Sequence, residues 1–125
     1  MKARNLGILG LGAIGSMVAD MALHLEMSVL GYDPALSVEA AWRLSSRVER
    51  MESMSALFGR SDIVTLHVPA LDSTRAMINA EAIDHFRNGA VLLNFSREEI
   101  VDSQAIAKAL ESGKISQYIS DFPTP

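Results

Sequence analysis

Cysteine is absent from the chain, so there is no disulfide framework, no thiolate nucleophile and no thiolate metal site. Histidine is scarce: His24, His67 and His85 show no metal-ligand spacing, and no metal is expected. Positive charge is the minority sign, with 11 basic against 15 acidic side chains, a net charge of −4 and a pI near 5.3. With no basic run either, a nucleic-acid partner is not expected. No apolar stretch reaches the length of a membrane span, and the first residues lack the pattern of a secretion signal. A cytoplasmic location and no membrane partner are therefore expected. Apolar residues are plentiful, at 49%, which suits a parallel sheet covered on both faces. The 125 residues leave room for one domain.

The most informative stretch is Gly10-Leu11-Gly12-Ala13-Ile14-Gly15, which follows the apolar run Leu6 to Leu9 directly. A glycine hexapeptide alone is weak, but this one stands between a strand pattern and a helix pattern. In that setting the first glycine makes a tight turn and the second lets the backbone approach a pyrophosphate. The third allows helix and strand to pack closely, and the helix N-terminus faces the phosphates. Met17, Met21 and Leu25 recur at four-residue spacing with Val18 and Ala22 beside them, which reads as the core face of a helix ending near Glu26. Ser28 to Tyr32 returns as a strand, ended by Asp33-Pro34. A carboxylate there accepts bonds from both hydroxyls of an adenosine ribose and repels a 2′-phosphate, so NAD is favoured over NADP. The bland alternative makes Asp33-Pro34 a simple turn.

Strands and helices then alternate. A short helix is expected over Ser37 to Leu44, an edge strand over Arg47 to Met51 and a helical turn over Ser53 to Phe58. A fourth strand runs from Asp62 to Val68 and ends at Pro69. Asn79 caps a helix through Phe86, and Ala90 to Asn94 is a continuous apolar strand. Asp102 caps a helix through Glu111 with Gly113 after it, and Ile115 to Ile119 is the sixth strand. Right-handed crossovers make this an α/β fold: a Rossmann-type, doubly wound parallel sheet of order 3-2-1-4-5-6, with the ligand crevice at the strand C-termini.

Several stretches resemble, in order, the D-isomer-specific 2-hydroxyacid dehydrogenases: His67-Val68-Pro69, Thr74, Met77-Ile78-Asn79, Gly89 through Asn94-Phe95-Ser96-Arg97, Ile100-Val101-Asp102 and Asp121-Phe122. Within that family, Phe95-Ser96-Arg97-Glu98 with Ser120-Asp121-Phe122-Pro123 is most similar to the branch that oxidises 3-phosphoglycerate for serine biosynthesis. The resemblance implies the NAD-binding domain of an oxidoreductase acting on a small 2-hydroxy or 2-oxo acid. It implies that Arg97 grips the substrate's carboxylate and carbonyl oxygen, a duty that suits a planar, bidentate guanidinium. It also implies that Asp121 orients the nicotinamide carboxamide, and that Val68, Pro69 and Ala70 wall the adenosine, with His67 beside them. By the same resemblance Thr74 neighbours a cofactor phosphate, Ala13 and Ile14 offer backbone N–H groups to the pyrophosphate, and Asn94, Phe95 and Ser96 line the nicotinamide ribose. Tyr32 and Pro34 flank Asp33 on the cofactor side.

The family commonly follows its arginine with glycine, whereas Glu98 and Glu99 stand here. Either carboxylate is a possible ion-pair partner for Arg97 when substrate is absent. The base that takes the hydroxyl proton is, in the family, a histidine paired with glutamate, downstream of the matched segment. His24, His67 and His85 are poor substitutes, His67 reading as a packed strand residue. Residues 1–125 are therefore expected to be a cofactor domain excised from a two-lobed enzyme, inactive on its own. Other readings stay open: a glyoxylate, hydroxypyruvate or D-lactate enzyme, a non-catalytic NAD sensor, and a glycine-turn methyltransferase using S-adenosylmethionine. A homodimer through apolar positions around Met51, Met54 and Phe58 or Ile83 and Phe86 is a further expectation, though the same residues read equally well as core faces.

Overall fold

The computed structural model describes residues 4–33, 47–68 and 75–120. The elements are β1 (Asn5–Leu9), α1 (Ala13–His24), β2 (Ser28–Tyr32), β3 (Glu49–Arg50), α2 (Met54–Arg60), β4 (Ile63–Leu66), α3 (Ala80–Asp84), β5 (Ala90–Asn94), α4 (Ser103–Ser112) and β6 (Ile115–Ser120). A 3-10 turn over Glu98–Ile100 follows β5. The six strands form one parallel sheet in the order β3-β2-β1-β4-β5-β6, the doubly wound arrangement that the alternating pattern predicts. The helix expected over 37–44 lies outside the described residues.

Local chemistry explains the element ends. The Asn79 side chain accepts a hydrogen bond from Ala82 N at 2.9 Å, and Asp102 accepts from Gln104 N and Ala105 N at 3.0 and 3.2 Å, each satisfying donors that a helix start leaves open. Ser53 caps α2 in the same way. α4 stops at Gly113, whose φ of 82° is the left-handed conformation that glycine adopts without a Cβ penalty. Several elements are shorter than the apolar pattern alone indicates: β3 keeps two residues, and α3 ends at Asp84.

Strand alternation sends Leu6, Ile8 and Val29 to one face, under α1, and Leu9, Leu30, Val64 and Leu92 to the other, under α2, α3 and α4. The second layer is sealed by Phe58 against Phe86, with ring centroids 4.4 Å apart. Phe58, Ile83 and Phe86 are buried there, and Met51 and Met54 pack against them. Those five positions are core faces.

The face of α1 that packs inward is only partly the expected one: Ala22 is buried and Val18 packs against the same cluster, but the three larger residues are not there. Ala19, Ala22 and Leu23 are buried against the sheet, whereas Met17, Met21 and Leu25 are 64%, 66% and 73% exposed. The cause is Gly15. A Cβ there would overlap the carbonyl oxygen of Gly10, so this side of the helix is pressed onto the turn. At about 100° per residue, Ala19, Ala22 and Leu23 share the side of Gly15, and Met17 and Met21 fall nearly opposite.

Candidate functional site

Strand pairing lines up the C-terminal ends. Tyr32 pairs with Leu9, Leu9 with Leu66, Leu66 with Asn94 and Asn94 with Ser120. The residues that follow the first four of these therefore emerge along one edge of the sheet. They are Asp33, Gly10, His67 and the Phe95-Ser96-Arg97 segment.

The turn after β1 is built for close approach. Gly10 has φ +100° and donates its N–H to the Tyr32 carbonyl at 2.9 Å, and a Cβ on it would strike the His67 carbonyl. A Cβ on Gly12 would meet nothing within 4 Å, so at this point the backbone faces open space. α1 starts immediately afterwards with no side-chain cap and no acidic residue in its first turn. Its leading N–H groups, those of Ala13 and Ile14 included, are left for an external acceptor. The Asp33 carboxylate turns toward this loop and accepts from Leu11 N at 2.8 Å. The acid and the glycine turn thus share one wall.

Beside Tyr32 opens a cleft of about 420 Å³ between α2 and α3, lined by Ser53, Met54, Phe58, Met77, Ala82 and His85 among others. Its lining mixes apolar side chains with the polar groups of Ser53, Asn79, Glu81 and His85. Apart from Tyr32, sequence reading did not find these lining residues. They come from two helices brought together by the Phe58–Phe86 contact, and no local motif records that packing.

On the other side of the turn, the His67 ring is half-buried. Its Nε2 lies 2.8 Å from Thr65 Oγ1, and the ring stacks on Phe95 with centroids 5.6 Å apart and planes 13° from parallel. Burial holds its pKa below the ordinary imidazole value. This is the packed strand residue the sequence indicates. Val68 N donates to Ser96 Oγ at 2.8 Å, tying the end of β4 to the segment after β5. Asn94 is wholly buried: its Nδ2 donates to the Arg97 carbonyl at 3.1 Å, and its Oδ1 accepts from Ser96 N at 2.9 Å.

Arg97 is exposed, and it makes no ion pair with Glu98, Glu99 or any other described residue. The expected resting pair with Glu98 or Glu99 is not formed. Glu98 opens the 3-10 turn without positive φ, so the missing glycine leaves no backbone strain. Pro34, Pro69, Ala70, Thr74 and Asp121 lie outside the described residues.

A glycine turn, a carboxylate at the second strand end and a 3-2-1-4-5-6 parallel sheet together define a dinucleotide-binding domain. Residues 1–125 match the family described as D-isomer specific 2-hydroxyacid dehydrogenase, NAD binding domain, and the chain belongs to that family. It is 34% identical over 116 residues to a D-lactate dehydrogenase of Lactiplantibacillus pentosus, covering 93% of this chain and 34% of the relative. It is 37% identical over 115 residues to a D-3-phosphoglycerate dehydrogenase of Methanocaldococcus jannaschii, covering 92% and 22%. The crystal structure of a D-lactate dehydrogenase from Aquifex aeolicus complexed with NAD and lactic acid superposes with a TM-score of 0.84 at 35% identity, over 94% of this chain and 34% of that one. The chain thus spans between 22% and 34% of the length of these relatives. Among the described residues no helix is long and apolar enough to cross a membrane.

Proposed function

We propose that the chain is the cofactor domain of a two-lobed, NAD-dependent D-2-hydroxyacid dehydrogenase whose substrate is 3-phosphoglycerate, in serine biosynthesis in the cytoplasm. The observation that carries the dehydrogenase reading is Arg97, exposed and without an ion pair among the described residues, on the same strand-end row as Gly12 and Asp33. In this reading Gly12 and the N–H groups of Ala13 and Ile14 hold the pyrophosphate, and Asp33 holds the adenosine ribose. The cleft beside Tyr32 takes the adenine, walled also by Val68 and Pro69, with Pro34 and Thr74 near the ribose and phosphate. Phe95 and Ser96 line the second ribose; Asn94, expected beside them, is wholly buried with its amide spent on Arg97 O, Tyr118 Oη and Ser96 N, so it shapes that wall from behind. Asp121 holds the carboxamide. NAD, when bound, accepts the hydride. Arg97 holds the substrate carboxylate and polarises the carbonyl that forms.

The 3-phosphoglycerate assignment rests on the Phe95-Ser96-Arg97-Glu98 segment and on the phosphoglycerate relative. The D-lactate relatives favour a smaller 2-oxo acid as the second reading. In neither reading does His67 supply the proton-accepting base, because its ring is stacked on Phe95, its Nε2 is engaged by Thr65 Oγ1 and burial lowers its basicity. The isolated chain is therefore expected to bind NAD and to turn over nothing. A homodimer is also part of the proposal, through the outer face of α1. The exposed Met17 and Met21 on that face are the apolar surface offered for it.

The test is calorimetric titration of the chain with NAD, NADP and S-adenosylmethionine, followed by Arg97→Ala in the two-lobed enzyme. A dehydrogenase loses about 100- to 1,000-fold in kcat/KM, as for removal of an oxyanion donor. Unchanged function after that substitution would mean a sensor, and preference for S-adenosylmethionine a transferase.

A further inference from the structure

We infer that Tyr118 is a positioning residue for Arg97, acting through the side-chain amide of Asn94. The inference rests on the reading of Arg97 as the substrate grip.

Three bonds define the Asn94 amide besides its place at the end of β5. Arg97 O can only accept and Ser96 N can only donate, so Nδ2 must face the first and Oδ1 the second. The Tyr118 hydroxyl lies 3.1 Å from Nδ2 and therefore accepts the second hydrogen of that group. A flipped amide would set oxygen against the Arg97 carbonyl and N–H against N–H, so the orientation is fixed once the backbone is in place. Tyr118 comes from the neighbouring strand, paired with Leu92, and its ring packs against the core under α4. Its hydroxyl closes the ring of partners around a wholly buried group. Ser96 is meanwhile held from β4 through Val68 N.

The consequence is that three strands jointly set the backbone of residues 95–97. Arg97 itself is exposed and has no side-chain ion pair to hold it among the described residues, so its direction is set by where its backbone is pinned. Two donors hold the Arg97 carbonyl: Ile100 N, at 3.1 Å within the 3-10 turn, and Asn94 Nδ2, at 3.1 Å, which alone ties it to the sheet. With the Tyr118 oxygen removed, one N–H of a buried amide loses its acceptor. The amide then rotates to find another, at the expense of its bonds to Arg97 O and Ser96 N.

The experiment is Tyr118→Phe, which keeps the ring and deletes one oxygen, measured on the whole chain with NAD present. Amide hydrogen exchange by NMR should speed up about fivefold or more at Ser96, with Ile8 and Leu92 unchanged. Binding of oxamate, an inert 2-oxo acid mimic, should weaken by a similar factor while NAD affinity stays within about twofold. Arg97→Ala serves as the reference that abolishes oxamate binding. Loss of protection across β5 and β6 together with weaker NAD binding would show a merely structural tyrosine and overturn the inference. Unchanged exchange at Ser96 would overturn it too, and this arm decides even where oxamate binds too weakly to measure. If oxamate binding is indifferent to Arg97→Ala, the substrate-grip reading fails and the positioning role falls with it. If Arg97→Ala matters and Tyr118→Phe does not, the positioning role alone fails.

Discussion

Replacing Asp33 by asparagine separates the electrostatic duty of this residue from its structural one. The carboxylate accepts the Leu11 N–H at 2.8 Å, a charge-assisted bond worth about 1.5–3 kcal/mol to the turn. Asparagine keeps an oxygen of the same shape for Leu11, so the fold loses only part of that, about 1 kcal/mol. The cofactor loses more. With the amide oxygen kept on Leu11 N, the acceptor turned to the ribose diol becomes a donor, which should raise the NAD Kd by about tenfold. For NADP the sign reverses. A 2′-phosphate with about −1.5 charges, about 5 Å from the carboxylate at an effective dielectric of about 40, meets a repulsion of about 2–3 kcal/mol, reduced further by salt. Removing the charge removes that repulsion. The ratio of NADP to NAD affinity should therefore rise by about 10- to 100-fold. Calorimetry with both cofactors at fixed ionic strength reads the ratio, and a urea titration confirms that the fold is kept. An unchanged ratio in the asparagine variant would refute the assignment of Asp33 to the ribose, whatever happened to NAD affinity alone.

Other outcomes follow from single contacts. Asp102→Ala removes the cap that holds Gln104 N and Ala105 N, and should lower unfolding free energy by about 0.5–2 kcal/mol without altering NAD binding. Because burial depresses the His67 pKa, the unfolded chain takes up this proton first as pH falls. The His67 contribution to stability is full above about pH 6.5 and declines below it. Urea midpoints of the parent should fall over that window more steeply than those of His67→Phe. Met21→Lys should leave the monomer's stability within about 0.5 kcal/mol but abolish any concentration-dependent dimer seen by sedimentation. Ala19→Lys, by contrast, buries an unpaired ammonium and should unfold α1, and equal effects of the two lysines would contradict the helix phase.

What the sequence made legible was whatever is local. Asn79, Asp102 and Gly113 announce helix ends because a cap acts within three residues. The glycine turn announces a crevice because each glycine answers a contact within one βαβ unit. The helix phase was partly misjudged although its signal was present. A glycine that lets a helix touch the turn also decides which side of the helix faces inward, and that constraint outweighs the larger but solvent-facing methionines. Two parts of the site were out of reach. The cleft beside Tyr32 depends on α2 packing against α3 through two phenylalanines distant in sequence. The Tyr118–Asn94 bond depends on the pairing of β5 with β6, which shifts register between Ala90 and Val91, so no count of alternating residues places the hydroxyl beside the amide.

The two faces of the sheet bear differently on reactivity. Under α2, α3 and α4, Leu92 and Ile115 are wholly buried. On the opposite face of the same strands Val91 and Leu93 are only partly covered, Ile119 is 48% exposed and Phe95 is 45% exposed, next to Arg97. Hydride transfer to a carbonyl held by a guanidinium gains from exclusion of water, because the electrostatic pull on the developing oxyanion is many times weaker in bulk solvent. An Arg97 open to water therefore suits binding better than turnover. In the proposed two-lobed enzyme, the covering lobe would add the proton-accepting base and also dry the space around an arginine that Asn94 has already set in place. Adding that lobe should thus raise the affinity of Arg97 for a 2-oxo acid as well as start the reaction. Comparing oxamate binding to the chain and to the two-lobed enzyme, both saturated with NAD, measures the first effect without the second.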